Sequence, residues 1–481
     1  MSSVTVSPSG GPLYLRVAAN VTEQMAKGTL RPGDRVPSLR RVSQQHRVSM
    51  STALQAYVWL ENQGYLESRP QSGFYVRTPF SKLIPEPQSE TVRSKPMAIG
   101  VRAVIANLIE SANDPRHVPL GAGNVTPDWF PGRRLNVILR DIIRRYPQHS
   151  MRYDFPPGYE PLRRQIARRA TDRGCNFSPR DITITCGAQE ALNLSLRAVA
   201  RPGDVIAVES PTFFAILEIA ASLGMKTVEV PTHPQNGMDL NELERAIRKH
   251  RVKACISMTN SHNPLGYVLS DEYKKSLVDL TARHDVALIE DDVYGDLAFQ
   301  APRPRTAKSF DRKGLVLLCS SFSKILCPGY RIGWVAGGRF RAEIEQLKFL
   351  TNIFTPSLQQ MVLAEFLETG GYTRHLKRLC TLLSTQVDRV RQAIAKYFPE
   401  GTRISRPAGG YMLWIELPAR VDGLKLYRAA LVENISVLPG TIFSATGAYK
   451  NYIRVNCGQT WSEVYDRALL TVGRLCAQQL S

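Results

Sequence analysis

Five short runs rich in apolar residues punctuate the middle of the chain: Ile182 to Cys186, Val205 to Glu209, Ala254 to Met258, Val286 to Glu290 and Leu315 to Ser320. Helical patterns separate several of them. Strands this short and this apolar belong to a largely parallel sheet covered on both faces, since each parallel neighbour has to be reached by a crossover, usually a helix. The alternation begins at about residue 116 and predicts an α/β, doubly wound architecture. Helices are expected to dominate from about 340 to 398, and a smaller α+β part to follow, with strands near Tyr411 to Leu417 and Tyr452 to Asn456. The large part then spans about 150–340 and the small part about 395–481.

Residues 1–77 read as a separate small unit. Leu13, Val17, Val21 and Met25 recur at helical spacing, with Gly28 as a stop. Arg31-Pro32-Gly33-Asp34 is a turn signal. Ser38 can cap a second helix to about Gln45, and Ser49 or Ser51 a third that reaches Gln63 and stops at Gly64. Tyr65-Leu66 and Phe74-Tyr75-Val76 flank Arg69-Pro70-Gln71-Ser72-Gly73, which predicts a hairpin. Three helices and a hairpin, in that order, make a winged helix-turn-helix. The helix from about Ser49 would place its N-terminal residues in the major groove and turn Ala53, Ala56 and Leu60 to the core. Arg40 and Arg41 would meet phosphate, and Arg69 would lie on the wing. Residues 78–115, with Pro79, Pro85, Pro87 and Pro96, read as a linker with a helix possible from Ile99 to Ile109.

Bulk properties narrow the function. The 481 residues suffice for two or three domains. No stretch of about 18 apolar residues occurs, which argues against a membrane span. Met1-Ser2-Ser3-Val4-Thr5 lacks a basic region leading into an apolar run, so no secretory signal is expected. The 8 cysteines are scattered, without a C-x-x-C pair, and no two histidines flank a glutamate at helical spacing. Neither a metal site nor a disulfide framework is expected, and reduced thiols suit a cytoplasmic protein. The net charge of +20 favours phosphate-rich partners, and residues 1–80 contain nine Lys or Arg against four Asp or Glu. Residues 133–173 hold eleven Arg against four acids, with doublets at Arg133-Arg134, Arg144-Arg145, Arg163-Arg164 and Arg168-Arg169. Solvated helix faces are the expected reading of those doublets; contact with DNA is the alternative.

Chemistry concentrates at the carboxyl ends of the predicted strands, where open α/β sheets bind ligands. Lys324 leaves an apolar strand among the hydroxyls of Ser321 and Ser323, with Arg331 seven residues on. A desolvated amine with a phosphate site nearby is what a Schiff-base centre needs. Asp291, at the end of another strand, can pair with a protonated ring nitrogen, and Asn263 offers an amide to a phenolic oxygen. Gly187-Ala188-Gln189 joins a strand to a helix, so its backbone amides can cradle phosphate.

Pro32 to Arg40, Val48 to Thr52, Leu60 to Tyr65 and Ser72 to Val76 closely resemble the GntR-type winged helix. That resemblance implies DNA contacts from Arg35, Ser38, Arg40, Arg41, Ser49, Ser51, Thr52, Arg69, Ser72 and Gly73. Arg41-Val42 stand where a Glu-Leu pair is more usual, which leaves the contact made by Arg41 open. From about 116 to 478 the strand-end motifs resemble the fold-type I aminotransferases. This implies pyridoxal phosphate linked to Lys324, with Asp291 at the ring nitrogen and Asn263 and Tyr294 at the ring hydroxyl. Phe213 would stack on the ring, and Gly187, Ala188, Gln189, Ser321, Ser323 and Arg331 would hold the phosphate. Tyr153 would reach the phosphate of a neighbouring subunit, and Arg454 would clamp a substrate carboxylate. The fusion resembles the MocR regulators and implies a regulator that binds operator DNA. It would sense pyridoxal phosphate, or its adduct with an amino acid or amine, as a homodimer, with head-to-tail as one arrangement. The alternative is a working aminotransferase that carries a DNA reader; a degenerate domain kept only for dimerisation is the third reading.

Overall fold

A computed structural model describes residues 12–31, 33–62, 65–69, 72–76, 85–87, 114, 116–300 and 302–481. The chain divides into two compact units, Met1–Leu83 and Ile84–Ser481.

The first unit is built from α1 (Leu13–Ala26), α2 (Leu39–His46), α3 (Met50–Asn62) and the antiparallel pair β1 (Leu66–Arg69) and β2 (Gly73–Val76). Ser38 caps α2, its hydroxyl accepting from Arg41 N–H at 3.4 Å. Ser49 does the same for α3, accepting from Thr52 N–H at 3.1 Å, so of the two candidate caps Ser49 is the one used. Val17, Val21, Val42, Ala53, Ala56, Tyr57, Leu60, Leu66 and Val76 close a small core. The buried Tyr57 satisfies its hydroxyl on the Pro37 carbonyl at 2.8 Å. Residues 33–36 add a third line to the hairpin, which the sequence did not suggest: Arg35 bridges Tyr75, and Val36 N–H donates to Phe74 O at 3.0 Å. Gln63, Gly64, Pro70, Gln71, the Arg69 side chain and the expected Ile99 to Ile109 helix lie outside the described part.

In the second unit the chain runs β3 (Val118–Pro119), α4 (Gly132–Arg145), α5 (Glu160–Thr171), β4 (Ile182–Thr185), α6 (Ala188–Val199), β5 (Val205–Ser210) and α7 (Phe214–Ser222). There follow β6 (Lys226–His233), β7 (Gly237–Met238), α8 (Leu240–His250), β8 (Ala254–Ser257), α9 (Asp271–Arg283), β9 (Ala287–Asp291), β10 (Val316–Ser321) and β11 (Gly333–Ala336). These strands form an eight-stranded sheet in the order β4-β11-β10-β9-β8-β5-β6-β7. The run from β10 to β6 is parallel, as expected, and its strands are buried almost throughout. β11 runs against both neighbours, so the sheet is mostly rather than wholly parallel.

Three helices come next: α10 (Arg341–Asn352), α11 (Ser357–Glu368) and the long α12 (Gly371–Tyr397). The small part holds β12 (Arg403–Ile404), β13 (Met412–Glu416), α13 (Gly423–Val432), β14 (Ile435–Ser436), β15 (Leu438–Pro439), β16 (Tyr452–Asn456) and α14 (Glu463–Gln478). β12-β13-β16-β15 form an antiparallel sheet, while β3 pairs with β14 and so ties the start of the unit to its small part. Residues 85–87 do not behave as free linker. Ile404 N–H donates to Pro85 O at 3.0 Å, and Glu86 accepts from Gln235 at 2.6 Å and pairs with Arg406 at 3.4 Å.

Candidate cofactor site and nucleic-acid interface

The ends of β4 and β10 meet through β11. Gly187, with φ of +82°, turns the chain from β4 into α6. A Cβ there would stand 2.4 Å from Arg331 Nη2, so glycine serves both the backbone and the guanidinium packed on it. Gly333 is equally constrained, since its Cβ would fall 2.4 Å from the Gly187 carbonyl carbon. Arg331 donates through Nη1 to Ser323 Oγ and through Nη2 to Cys186 O, both at 3.2 Å. Ser321 Oγ accepts from Ser323 N–H at 3.3 Å. One cup therefore collects Arg331, two hydroxyls and the first amides of α6, which have no intrahelical acceptor: a site for a phosphate-sized anion.

Beneath the cup lies a pair that sequence reasoning missed. Glu190, in the first turn of α6, accepts from Cys186 N–H at 2.5 Å. The buried Lys348 of α10 meets Glu190 at 2.9 Å, and Asn352 bonds both partners, at 2.6 and 2.7 Å.

Next to the cup, Lys324 Nζ donates to Gly123 O at 2.7 Å, and Tyr411 OH reaches the same carbonyl at 3.0 Å. The rings of Tyr294 and Tyr411 lie 5.5 Å apart. Burial, with Arg454 and Arg331 nearby, lowers the Lys324 amine to about 8. Asp291 is 3% exposed and accepts from Val293 N–H at 3.2 Å; burial raises its carboxyl to about 7. Arg454, on β16, donates to Asn263 Oδ1 at 3.1 Å and to Gly121 O at 2.7 Å, and burial lowers it to about 10. Asn263 Nδ2 and Arg454 Nε are buried donors without an acceptor. Leaving such groups unmade costs about 1–3 kcal/mol each, so the site fits a ligand that brings acceptors.

Behind Asn263, Glu209 accepts from Ser257 (2.7 Å), Tyr267 (2.9 Å) and Met258 N–H (3.0 Å), and pairs with His262 Nε2 (3.1 Å). Since His262 Nδ1 accepts from Leu265 N–H, Nε2 carries the proton and donates to Glu209. Burial would raise the Glu209 carboxyl, but His262 and the hydrogen bonds outweigh it and hold it below the ordinary range.

The chain thus gathers Lys324, Asp291, Tyr294, Asn263, Arg454, Arg331, Ser321, Ser323 and Gly187, with Ala188 at the start of α6. Gln189 is exposed in the first turn of α6, and Phe213 is half-buried with its ring 4.7 Å from Phe214. Tyr153 stays apart, 64% exposed and stacked on Phe155 at 5.6 Å.

In the first unit Arg35, Ser38, Arg40, Arg41, Ser49 and Ser51 are exposed. Ser49 Oγ lies 2.8 Å from both Ser51 Oγ and Thr52 Oγ1, so three hydroxyls cluster at the start of α3. The Arg35 guanidinium packs beside Gly73, and the Ser72 and Tyr75 hydroxyls meet at 2.5 Å on the hairpin. Six of the eight arginines in the doublets are exposed, as solvated helix faces would have them, and Arg163 and Arg169 are the exceptions. Arg163 is 9% exposed and donates to Gly158 O and Pro179 O. Arg145 pairs with Glu365, Arg164 with Glu160, and Arg169 lies over the Tyr372 ring at 4.3 Å.

Residues 13–76 match the family of bacterial regulatory proteins, gntR family, and residues 118–470 match aminotransferase class I and II. The chain is 40% identical to the uncharacterized HTH-type transcriptional regulator YdcR of Escherichia coli (strain K12), over 97% of this chain and 99% of that one. It is 38% identical to the uncharacterized HTH-type transcriptional regulator YjiR of the same strain, over 96% of this chain and 98% of that one. Among solved structures it is similar to the kynurenine aminotransferase of Pyrococcus horikoshii, in complex with PMP (TM-score 0.73, 26% identity, 81% of this chain and 96% of that one). It is also similar to LysN, the alpha-aminoadipate aminotransferase of Thermus thermophilus, complexed with N-(5'-phosphopyridoxyl)-L-leucine (TM-score 0.72, 26% identity, 78% and 95%). The chain belongs to the aminotransferase class I and II family and, with its gntR-family domain in front, to the DNA-binding transcription regulators of MocR type.

Proposed function

We propose that this regulator senses an amino compound at a pyridoxal phosphate held by Lys324, and that occupancy of the site governs how its winged helix engages operator DNA. The observation that carries the reading is the meeting of Lys324, Asp291, Tyr294 and Arg331 with two buried, unpartnered donors on Asn263 and Arg454.

Arg331, Ser321, Ser323 and the α6 amides would hold the phosphate, Asp291 the ring nitrogen, and Asn263 with Tyr294 the phenolic oxygen. When bound, the cofactor supplies an aldehyde that links to amines and a ring that withdraws electrons. Lys324, lowered to about 8, keeps a usable fraction of neutral, nucleophilic amine near neutral pH. Arg454 stays protonated and offers its fork to a carboxylate, with Phe443 packed 5.3 Å from it. An effector with both an amine and a carboxylate suits these two groups. Its binding changes the regulator only in so far as it favours one conformation, a coupling of typically about 1–3 kcal/mol.

The reading includes a homodimer in which Tyr153 serves the partner's site, and a cytoplasmic location where DNA is reached. No helix among the described residues is long and apolar enough to cross a membrane.

The test is an absorbance titration with pyridoxal phosphate beside a Lys324→Ala variant. A visible band should appear in the wild type and be missing from the variant; identical spectra would sink the cofactor assignment. One feature supports a second reading as a working aminotransferase, namely that none of the expected chemical groups is missing. Sustained keto-acid formation with an amino donor would favour it.

A further inference from the structure

α3 carries a stripe that its core contacts leave unexplained. Ala53, Ala56, Tyr57 and Leu60 fill the core, yet Met50, Leu54 and Val58 stand 50%, 44% and 40% exposed at four-residue spacing. Residues four apart share one helix face, so the three form a continuous apolar strip. No charged residue occurs from Ser49 to Leu60. The frame around the strip is cationic: Arg40 and Arg41 on α2 and Arg47 in the turn that enters α3 are all exposed. Nearby acids are engaged, Glu23 with Lys27, Asp34 with Arg31 N–H and Glu61 with Ser68 N–H. An apolar strip framed by arginines suits a partner with anionic rims and apolar groups on its floor. The major groove of B-DNA is such a partner, with phosphates on both sides and thymine C5 methyl groups at the base edges. A protein docked on the strip would bring the arginines near its surface without that ordered anionic rim.

We propose that Met50 and Leu54 read thymine by packing on its methyl group, with the exposed Gln55 beside them placed to bond adenine. The proposal rests on α3 being the helix that enters the groove. Without Arg or Lys on this stretch, α3 lacks the commonest guanine contact, and the base group that Met50 and Leu54 can pack on is the thymine methyl. Residues four apart on a helix are separated by about 6 Å along the axis, close to two base-pair steps of about 3.4 Å. Met50 and Leu54 therefore address thymines two base pairs apart. Val58, one turn further from the N-terminal end, lies beyond the part of such a helix that meets base edges.

The experiment selects preferred duplexes from random-sequence DNA with the full chain, then replaces each thymine by uracil, which deletes only the methyl group. Two positions should each lose about fourfold in affinity, the equivalent of one buried methyl. The loss at one of them should disappear in Leu54→Ala and at the other in Met50→Ala. Both side chains are exposed, and thermal unfolding of each variant checks that it folds. Uracil tolerated at every thymine, or equal uracil penalties in wild type and variants, overturns methyl reading and leaves DNA recognition standing. An altered oligomeric state in Leu54→Ala with unchanged DNA affinity overturns it in favour of a protein contact. Failure to enrich any sequence overturns specific DNA reading as well.

Discussion

Burial raises the Asp291 carboxyl from 3.8 to about 7, and this has a measurable consequence in the cofactor-free protein. The folded state prefers the protonated acid while the unfolded chain ionises, so stability present below the ordinary carboxylate range is lost as pH rises toward about 7. The shift corresponds to roughly 4 kcal/mol. Asp291→Asn removes the titration, so the difference in unfolding free energy between wild type and variant should change by that order between acidic and neutral pH; an unchanging difference would show that Asp291 titrates normally. Asp291 and Lys324 were legible because the one ends an apolar strand and the other closely follows one, each as a polar group. Tyr411 and Gly123 were not, because the Gly123 carbonyl that gathers them lies 201 residues from Lys324 and 288 from Tyr411 along the chain.

Among the elements, α6 depends on α10. An acid in the first turn of a helix weakens that end as an anion site, and Lys348 offsets Glu190. Lys348→Met should weaken binding of pyridoxal phosphate by about 1–2 kcal/mol, roughly tenfold, while leaving binding of unphosphorylated pyridoxal unchanged. Adding Glu190→Gln should restore the phosphate affinity, whereas equal losses for both ligands, without rescue, would mean damage to the fold. The caps at Ser38 and Ser49 were readable from local chemistry. The reversed strand β11 and the Arg35 bridge to Tyr75 were not, since short strands take their direction from neighbours rather than from their own residues.

On the scale of the molecule, Met151, Tyr153, Phe155, Phe349 and Leu350 are 83%, 64%, 54%, 49% and 68% exposed. Tyr153 stacks on Phe155, and Phe155 lies 6.1 Å from Phe349. Clustered aromatic groups of this kind on a surface mark an interface, in line with the proposed homodimer. Phe155→Glu should shift sedimentation from dimer to monomer, with pyridoxal phosphate affinity falling in parallel if Tyr153 completes the neighbouring site; an unchanged sedimentation profile would move the interface elsewhere. The two architectures, the strand ends that carry the polar groups and the helix caps could all be read along the chain, because periodicity and capping are local properties. That Arg454 meets Asn263, that Lys348 neutralises Glu190, that Arg163 is buried and that Met50, Leu54 and Val58 are not emerged from the folded chain alone. Those outcomes depend on which distant elements pack together, and desolvation and pairing are settled by that packing.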